Sequence, residues 1–221
     1  MLKLMTIFSG GLIAMGGWAV VTVKDVPEYL VAGRQYTIEF QVRQHGRKLL
    51  NGLQPELVIR PSGAGGGGGG AKTQTIKAVP RSDDGSYAVT FTAPTARQVF
   101  LTIHSGWGNS ELNLYPQPVV AAGTPVGQLP RALSPVDRGQ ILFVSKGCTI
   151  CHANSDLAAG ADNMHLQIGP ELGGRRLTRE YVIQKIKNPA SEKMPDLGLG
   201  DADINAIAAF LTGERTAATG R

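Results

Sequence analysis

The chain has 221 residues, of which 42% are hydrophobic and 18% are charged. This length fits one or two domains, and the composition excludes both global disorder and a disulfide-stapled mini-protein, because there are only two cysteines. The net charge of +5 arises in the first half of the chain, and no basic run is longer than a pair such as Arg47-Lys48. We therefore expect no nucleic acid partner.

The N-terminus has the pattern of an export signal. Lys3 precedes an apolar stretch that ends at Met15 among small residues, which predicts a signal peptide at 1–16. An uncleaved membrane anchor is the alternative, because the uncharged run continues to Val23 and becomes long enough to cross a bilayer. Glycines in the run and the β-branched residues at 20–23 favour a folded strand in its second half. Both interpretations place the rest of the chain in the periplasm or another extracytoplasmic compartment.

Between residues 17 and 119, apolar and polar residues alternate with the two-residue period of β-strands. The clearest run is Tyr36 to Val42, whose apolar side chains share one face. Such runs predict about seven strands, at 19–23, 36–42, 57–59, 76–79, 87–91, 99–103 and 112–114. These strands and the turns between them predict an all-β sandwich of immunoglobulin-like type. The glycine-rich stretch 63–70 is expected to form a flexible hairpin tip.

A change in composition separates this domain from the rest of the chain. Prolines and glycines between Pro116 and Pro135 predict a linker at 120–133. Beyond the linker, capping signals predict helices that begin at Ser134, Thr178 and Asp201, the second ending at Asn188 and the third at Gly213. We expect an all-α domain at 134–213 and a flexible tail at 214–221.

The residues Cys148-Thr149-Ile150-Cys151-His152 form a C-x-x-C-H motif, the pattern of c-type haem attachment. Two thiols at this spacing reach two vinyl groups of one porphyrin, and the next imidazole meets the iron. A redox dithiol and a zinc site are the alternatives. A thioredoxin-like dithiol requires a βαβ context, and a zinc site requires four ligands, whereas the sequence has no second cysteine pair. The motif therefore favours one covalently attached haem c.

The segment 134–213 resembles the class I cytochromes c in the order of its motifs. These motifs are the first helix, the C-x-x-C-H sequence, Gly169-Pro170-Glu171-Leu172, a helix running into Asn188-Pro189, Met194-Pro195 and a closing amphipathic helix. The resemblance implies that His152 is the proximal iron ligand and Met194 the distal one. It also implies that the Pro170 carbonyl accepts a hydrogen bond from the His152 Nδ1–H. Met164 is a poorer candidate, because it precedes the proximal Pro170.

The same resemblance implies two further sets of contacts. Gly139 and Phe210 match the positions where the first and last helices cross closely. Arg175 and Tyr181 are implied as contacts of a haem propionate, with Arg176 as the alternative arginine. From its spacing, the second helix is expected to bury Tyr181 together with Val182 and Ile186.

The N-terminal segment resembles the YtkA-like extracytoplasmic β-sandwich domains. The matching stretches are Tyr36 to Gly46, Gly85-Ser86-Tyr87 and Ser105 to Ser110. His45 and His104 raise the alternative of a copper site, because exported sandwiches can bind copper through histidine. The turn position of His45 and the polar phase of His104 favour surface residues instead.

Together these features predict an electron-transfer protein rather than an enzyme. We expect an exported monohaem cytochrome that exchanges electrons with a membrane-bound respiratory or photosynthetic redox complex. The sandwich would act as a docking or spacing module on the Pro-rich tether, and the N-terminus could attach the protein to the membrane. Two alternatives remain open. One is a haem-based sensor or ligand-binding enzyme with a labile sixth ligand, and the other is a copper-handling protein with an appended cytochrome.

Overall fold

A computed structural model describes residues 17–62, 72–82, 84–157, 166, 168–189 and 194–213. The expected signal peptide at 1–16, the glycine-rich stretch 63–70 and the tail at 214–221 lie outside the described residues. No helix in the described ranges is long and apolar enough to cross a membrane.

The N-terminal domain is all-β and consists of two sheets. Its described strands are β1 (Ala19–Val23), β2 (Leu30–Val31), β3 (Gln35–Gln44), β4 (Lys48–Leu49), β5 (Glu56–Pro61), β6 (Gln74–Lys77), β7 (Val79–Pro80), β8 (Ser86–Thr92), β9 (Gln98–His104), β10 (Glu111–Asn113) and β11 (Gln117–Val120). One sheet has the order β1-β3-β8-β7, with β4 also paired to β3. The other has the order β2-β11-β9-β5-β6, with β10 also paired to β9. The predicted all-β, two-sheet architecture is confirmed.

Six of the seven predicted strands are present, and the predicted strand 76–79 is divided between β6 and β7, which belong to different sheets. The structure adds the short strands β2, β4 and β11, whose sequences show no clear alternation. Strands β5 and β6 pair antiparallel, with Ile59 opposite Gln74. The strands on either side of residues 63–70 are therefore paired with each other.

Strand β1 is buried at all five positions because it packs on both of its faces. Ala19, Val21 and Val23 belong to the sandwich core. On the opposite face, Val20 packs against the C-terminal domain. A strand covered on both sides has a continuous apolar sequence, which is why this segment also suited a membrane span. The interpretation of an anchor extending through Val23 is wrong, because residues 19–23 form this strand.

The described part of the C-terminal domain contains three α-helices, α1 (Pro135–Ser145), α2 (Arg179–Lys187) and α3 (Asp201–Thr212). Ser134 caps α1 by accepting a hydrogen bond from the backbone N–H of Asp137. Thr178 caps α2 in the same way, and α3 ends at the left-handed Gly213. The three predicted helices are confirmed within a residue of their expected ends.

Helices α1 and α3 cross at Gly139, as the resemblance implied. A methyl carbon on Gly139 would lie 1.9 Å from the carbonyl oxygen of Ala206 and 2.8 Å from Cβ of Phe210. Only glycine permits this approach, which lets Phe143 and Phe210 pack with their ring centroids 5.7 Å apart.

The C-terminal domain packs directly on the sandwich. Val144 of α1 belongs to the sandwich core cluster. Arg138 of α1 donates 2.9 Å hydrogen bonds to the carbonyl oxygen of Val26 and to Oδ1 of Asp25. Between β11 and α1 the chain is largely exposed and holds a short 3₁₀ helix, Val126–Gln128. The linker therefore does not hold the two domains apart, and the docking or spacing role of the sandwich stays a prediction.

Candidate functional site

The C-x-x-C-H motif lies immediately after α1, in a tight turn. Gly147 ends the helix in a left-handed conformation, and Cys148–Ile150 form a 3₁₀ turn. The backbone N–H groups of Cys151 and His152 both donate to the carbonyl oxygen of Cys148, at 3.2 and 3.0 Å. This turn brings the two thiols and the imidazole together, as attachment of one porphyrin requires. The two cysteines are not joined to each other by a disulfide bond.

The protonation of the thiols bears on the alternative uses of the cysteine pair. Burial raises the pKa of Cys148 to about 12 and also raises the pKa of Cys151. A redox dithiol and a zinc site both act through the thiolate, which these environments disfavour. Within the described ranges, no group of three His, Cys, Asp or Glu side chains is arranged to hold a metal ion. Both observations count against the two alternatives, and thioether attachment of haem stays a prediction.

The imidazole of His152 is fixed by the segment that follows the motif. Its Nδ1 lies 2.9 Å from the carbonyl oxygen of Pro170, the contact that the resemblance implied. A carbonyl can only accept, so Nδ1 carries the proton and Nε2 keeps a free lone pair for a metal. A methyl carbon on Gly169 would lie 2.3 Å from Cε1 of His152, so the chain runs flush against the ring. This cradle fits a histidine that ligates haem iron.

The proximal segment is attached to the motif by backbone hydrogen bonds. Gly169 donates to the carbonyl oxygen of Cys151, and Leu166 donates to that of Ile150, both at 2.8 Å. The side chains of Leu166 and Ile168 pack in the same cluster as Ile150 and Cys151. The segment beside the His152 ring is therefore held in place by the motif itself. Residues around a metal ligand orient it in this way.

The distal candidate Met194 is partly buried and begins the segment that leads into α3. The next residue, Pro195, contacts the sandwich at Gly46. Met164 lies outside the described residues. The assignment of Met194 as the distal ligand stays a prediction.

The residues suggested for a propionate lie at the surface. Arg175 and Arg176 are exposed. Tyr181 is 53% exposed, and Nζ of Lys185 lies 5.6 Å from its ring centroid. The expectation that Tyr181 lies on the buried side of α2 is wrong, although Val182 is buried as predicted. The propionate contacts of Arg175 and Tyr181 remain predictions.

Sequence reasoning missed the contribution of the sandwich to this site. Val20 of β1 packs against Ile150 and Cys151 inside the attachment motif. A methyl carbon on Gly147 would lie 2.5 Å from Cγ1 of Val20, so the chain just before Cys148 rests on β1. The sequence signal for this contact was Val20. In an alternating strand this position would face solvent and carry a polar residue, yet it is apolar.

The two histidines of the sandwich occupy different parts of that domain. His45 occupies a turn with φ of 52°, and its ring centroid lies 5.2 Å from that of Trp18. His104 ends β9, and its Nδ1 lies 3.3 Å from Oε2 of Glu111. Neither histidine joins a three-residue ligand group in the part of the chain that the structure describes.

The crossing helices and the fixed histidine after a cysteine pair define the C-terminal domain as a class I cytochrome c domain, and an all-β domain precedes it. Residues 134–211 match the family described as cytochrome C oxidase, cbb3-type, subunit III. The match covers roughly a third of the chain and concerns the C-terminal domain alone. A haem-based electron carrier is the class of function to which this similarity points.

No curated protein matches the chain. Among solved structures, the chain is similar to a superoxide reductase (neelaredoxin) from Ignicoccus hospitalis, with 13% identity over 46% of this chain and 80% of that chain, and a TM-score of 0.32. It is also similar to the Lin-41 filamin domain, with 17% identity over 48% of this chain and 86% of that chain, and a TM-score of 0.31. These low scores carry no argument about function.

Proposed function

We propose that the chain is an exported monohaem c-type cytochrome that carries single electrons to or from a membrane-bound redox complex. The observation that carries this proposal is the imidazole of His152, next to the cysteine pair and held by the Pro170 carbonyl at 2.9 Å. Haem c, when bound, supplies a one-electron iron couple. The sequence contains two cysteines and therefore one attachment motif, which sets the number of haems at one.

Each proposed site residue has a distinct task. Cys148 and Cys151 hold the porphyrin through thioethers, and His152 provides the proximal nitrogen. Met194 provides a thioether to the distal side, which favours the ferrous form and a comparatively high potential. Pro170 keeps the proton on Nδ1 of His152. With His152 and Met194 as its protein ligands, a bound haem would exchange electrons and bind no substrate.

The family description supports a respiratory partner, because it names a subunit of a cytochrome c oxidase. We therefore place this chain outside the cytoplasm, with a membrane-bound respiratory complex as electron donor or acceptor. The YtkA-like and immunoglobulin-like character of the N-terminal domain is part of the same proposal. Since that domain packs against the haem motif, we assign it a docking role at the surface of the cytochrome.

Covalent haem is the decisive test. Wild-type protein matured in an exporting host should keep haem peroxidase activity on a denaturing gel after acid–acetone extraction. Changing Cys148 and Cys151 to alanine should abolish that signal, because axial ligation alone does not survive denaturation. Thr149→Ala is the matched control, since it changes the same turn and leaves C-x-x-C-H intact. An absent signal in the wild-type protein would refute the cytochrome assignment.

A further inference from the structure

The turn that joins β3 to β4 touches the segment carrying the distal methionine. Gly46 is buried in this turn, with φ of 73°. A methyl carbon on Gly46 would lie 2.8 Å from Cγ and 3.3 Å from Cβ of Pro195, the residue after Met194. Contacts under 3.0 Å do not occur between such carbons, so a side chain here would displace Pro195 or the turn. The sandwich and the Met194-Pro195 segment are therefore in close contact at this point.

The turn itself is held in place on the sandwich side. His45 and Gly46 are its central residues, and both have positive φ, as in a type I′ turn. The N–H of Arg47 closes the turn with a 2.9 Å bond to the carbonyl oxygen of Gln44. The N–H of His45 donates at 3.0 Å to the carbonyl oxygen of Trp18. If a side chain were added at Gly46, the Pro195 segment would therefore move more easily than the turn.

The Pro195 segment has fewer supports of its own. Residues 194–200 include no helix or strand, and they lead directly into α3. Asp196 accepts a 2.8 Å hydrogen bond from the N–H of Gly198, which is a local contact. Asp196 also interacts electrostatically with Arg43 on β3. Burial lowers the pKa of Arg43, and the Asp196 carboxylate raises it. The non-local contacts of Pro195 and Asp196 are thus with the sandwich, whereas Leu199 packs against the core of the cytochrome domain.

The same edge of the sandwich also contacts the proximal motif. Val20 packs against Ile150 and Cys151, and its Cγ2 would lie 3.5 Å from a methyl carbon on Gly46. One rigid edge, formed by β1 and the β3–β4 turn, therefore contacts the chain beside the cysteine pair and beside the methionine. Such an edge can fix the spacing of the two segments that the haem must bridge.

We propose that Gly46 is a positioning residue for the distal ligand: the sandwich holds Pro195 through Gly46 and thereby keeps Met194 at the haem iron. This inference rests on the proposed function. It gives the sandwich a task beyond docking, namely to keep the sixth position closed to external ligands. The domain thus acts on the site by packing against Pro195.

Gly46→Ala tests the proposal, and Gly33→Ala is the matched control. Gly33 lies in the same domain with φ of 76°, and a methyl carbon there would meet nothing within 4 Å. Both variants carry the backbone strain of alanine at positive φ, but only Gly46→Ala presses on Pro195. The holoproteins are compared by covalent haem, by the near-infrared sulfur-to-iron charge-transfer band of the ferric form and by carbon monoxide affinity of the ferrous form.

We expect Gly46→Ala to keep covalent haem, lose most of the charge-transfer band and bind carbon monoxide about tenfold more tightly than the wild type. Gly33→Ala should match the wild type in band and affinity. If the two variants have the same charge-transfer band and the same carbon monoxide affinity, the proposal is overturned. Wild-type protein without covalent haem or without the band would instead refute the proposed function, so the two failures are distinguishable.

A second variant covers the case in which Gly46→Ala does not fold. Pro195→Ala removes the Cγ atom that the new methyl group would meet. In the double variant Gly46→Ala/Pro195→Ala, folding and the charge-transfer band should return to the level of Pro195→Ala alone. If the double variant fails as Gly46→Ala does, the contact with Pro195 is not the cause and the proposal is wrong.

Discussion

Lys146 forms a buried ion pair with Asp203, with 2.9 Å between Nζ and Oδ2. The side chain of Lys146 is 5% exposed, and its Nζ also donates at 2.7 Å to the carbonyl oxygen of Lys24. This ammonium group therefore joins the end of α1 to the first turn of α3 and to the residue that follows β1. It connects the two domains two residues before the first haem cysteine.

Removing the Lys146 ammonium should destabilise the protein strongly. Lys146→Met leaves the Asp203 carboxylate and the Lys24 carbonyl without their donor, which we expect to cost about 3 kcal/mol in the free energy of unfolding. Lys187→Met is the control, because its 2.6 Å pair with Asp201 is exposed on both sides and should contribute less than about 1 kcal/mol. Urea unfolding measures both. Equal losses would show that the Lys146 pair contributes no more than a surface pair.

The crossing of α1 and α3 predicts that Gly139→Ala is severely destabilising. The added methyl group would overlap the Ala206 carbonyl at 1.9 Å, so the helices must separate, at a cost of about 3 kcal/mol or more. Gly127→Ala in the exposed 3₁₀ helix meets nothing within 4 Å and should change stability by less than about 0.5 kcal/mol. Thermal unfolding followed by circular dichroism tests the pair, and a small effect at Gly139 would contradict the tight crossing.

The choice between two methionines separates an electron carrier from a ligand-binding haem protein. Met194→Ala should open the sixth position, abolish the sulfur-to-iron charge-transfer band and permit carbon monoxide binding to the ferrous form. Met164→Ala should leave both properties unchanged, because this residue precedes the proximal Pro170 in the chain. Ready carbon monoxide binding by the ferrous wild-type protein at neutral pH would favour the sensor or enzyme hypothesis instead.

Acid should weaken the ion pair between Glu39 and Lys24, whose Oε2 and Nζ lie 3.1 Å apart. The hydrogen bond from Lys24 holds the pKa of the Glu39 carboxyl below the ordinary value of 4.5. A carboxyl group whose pKa is lowered in the folded state stabilises the protein when the pH is above the pKa of the unfolded chain. This contribution disappears as the pH falls through the pKa of the folded state. Glu39→Gln should therefore lose less stability than the wild type between about pH 5 and pH 3. Lys24→Met should flatten the profile in the same direction, and unchanged profiles in both would contradict the assignment.

Local patterns were enough to predict each element that carries its own signal. Alternation identified strands such as β3, β8 and β9, and the capping residues Ser134 and Thr178 identified the starts of two helices. The five residues from Cys148 to His152 predicted the chemistry, because thioether attachment depends on spacing within one turn. The strands β2, β4 and β11 were missed and β7 was not separated from β6, since these strands are formed by pairing with neighbours rather than by a pattern of their own.

The arrangement of the two domains was decided only in the tertiary structure. Nothing local distinguishes Gly46 from other turn glycines or Lys146 from a surface lysine, and the prolines before α1 favoured a tether. Burial of Val20, Pro195 and Lys146 depends on what lies opposite them, and their partners are distant in the chain. Hydrophobic burial and ion pairing act between surfaces that meet after folding. For this reason the sequence determined the elements and the haem motif, whereas the contact of the sandwich with both haem-binding segments required the fold.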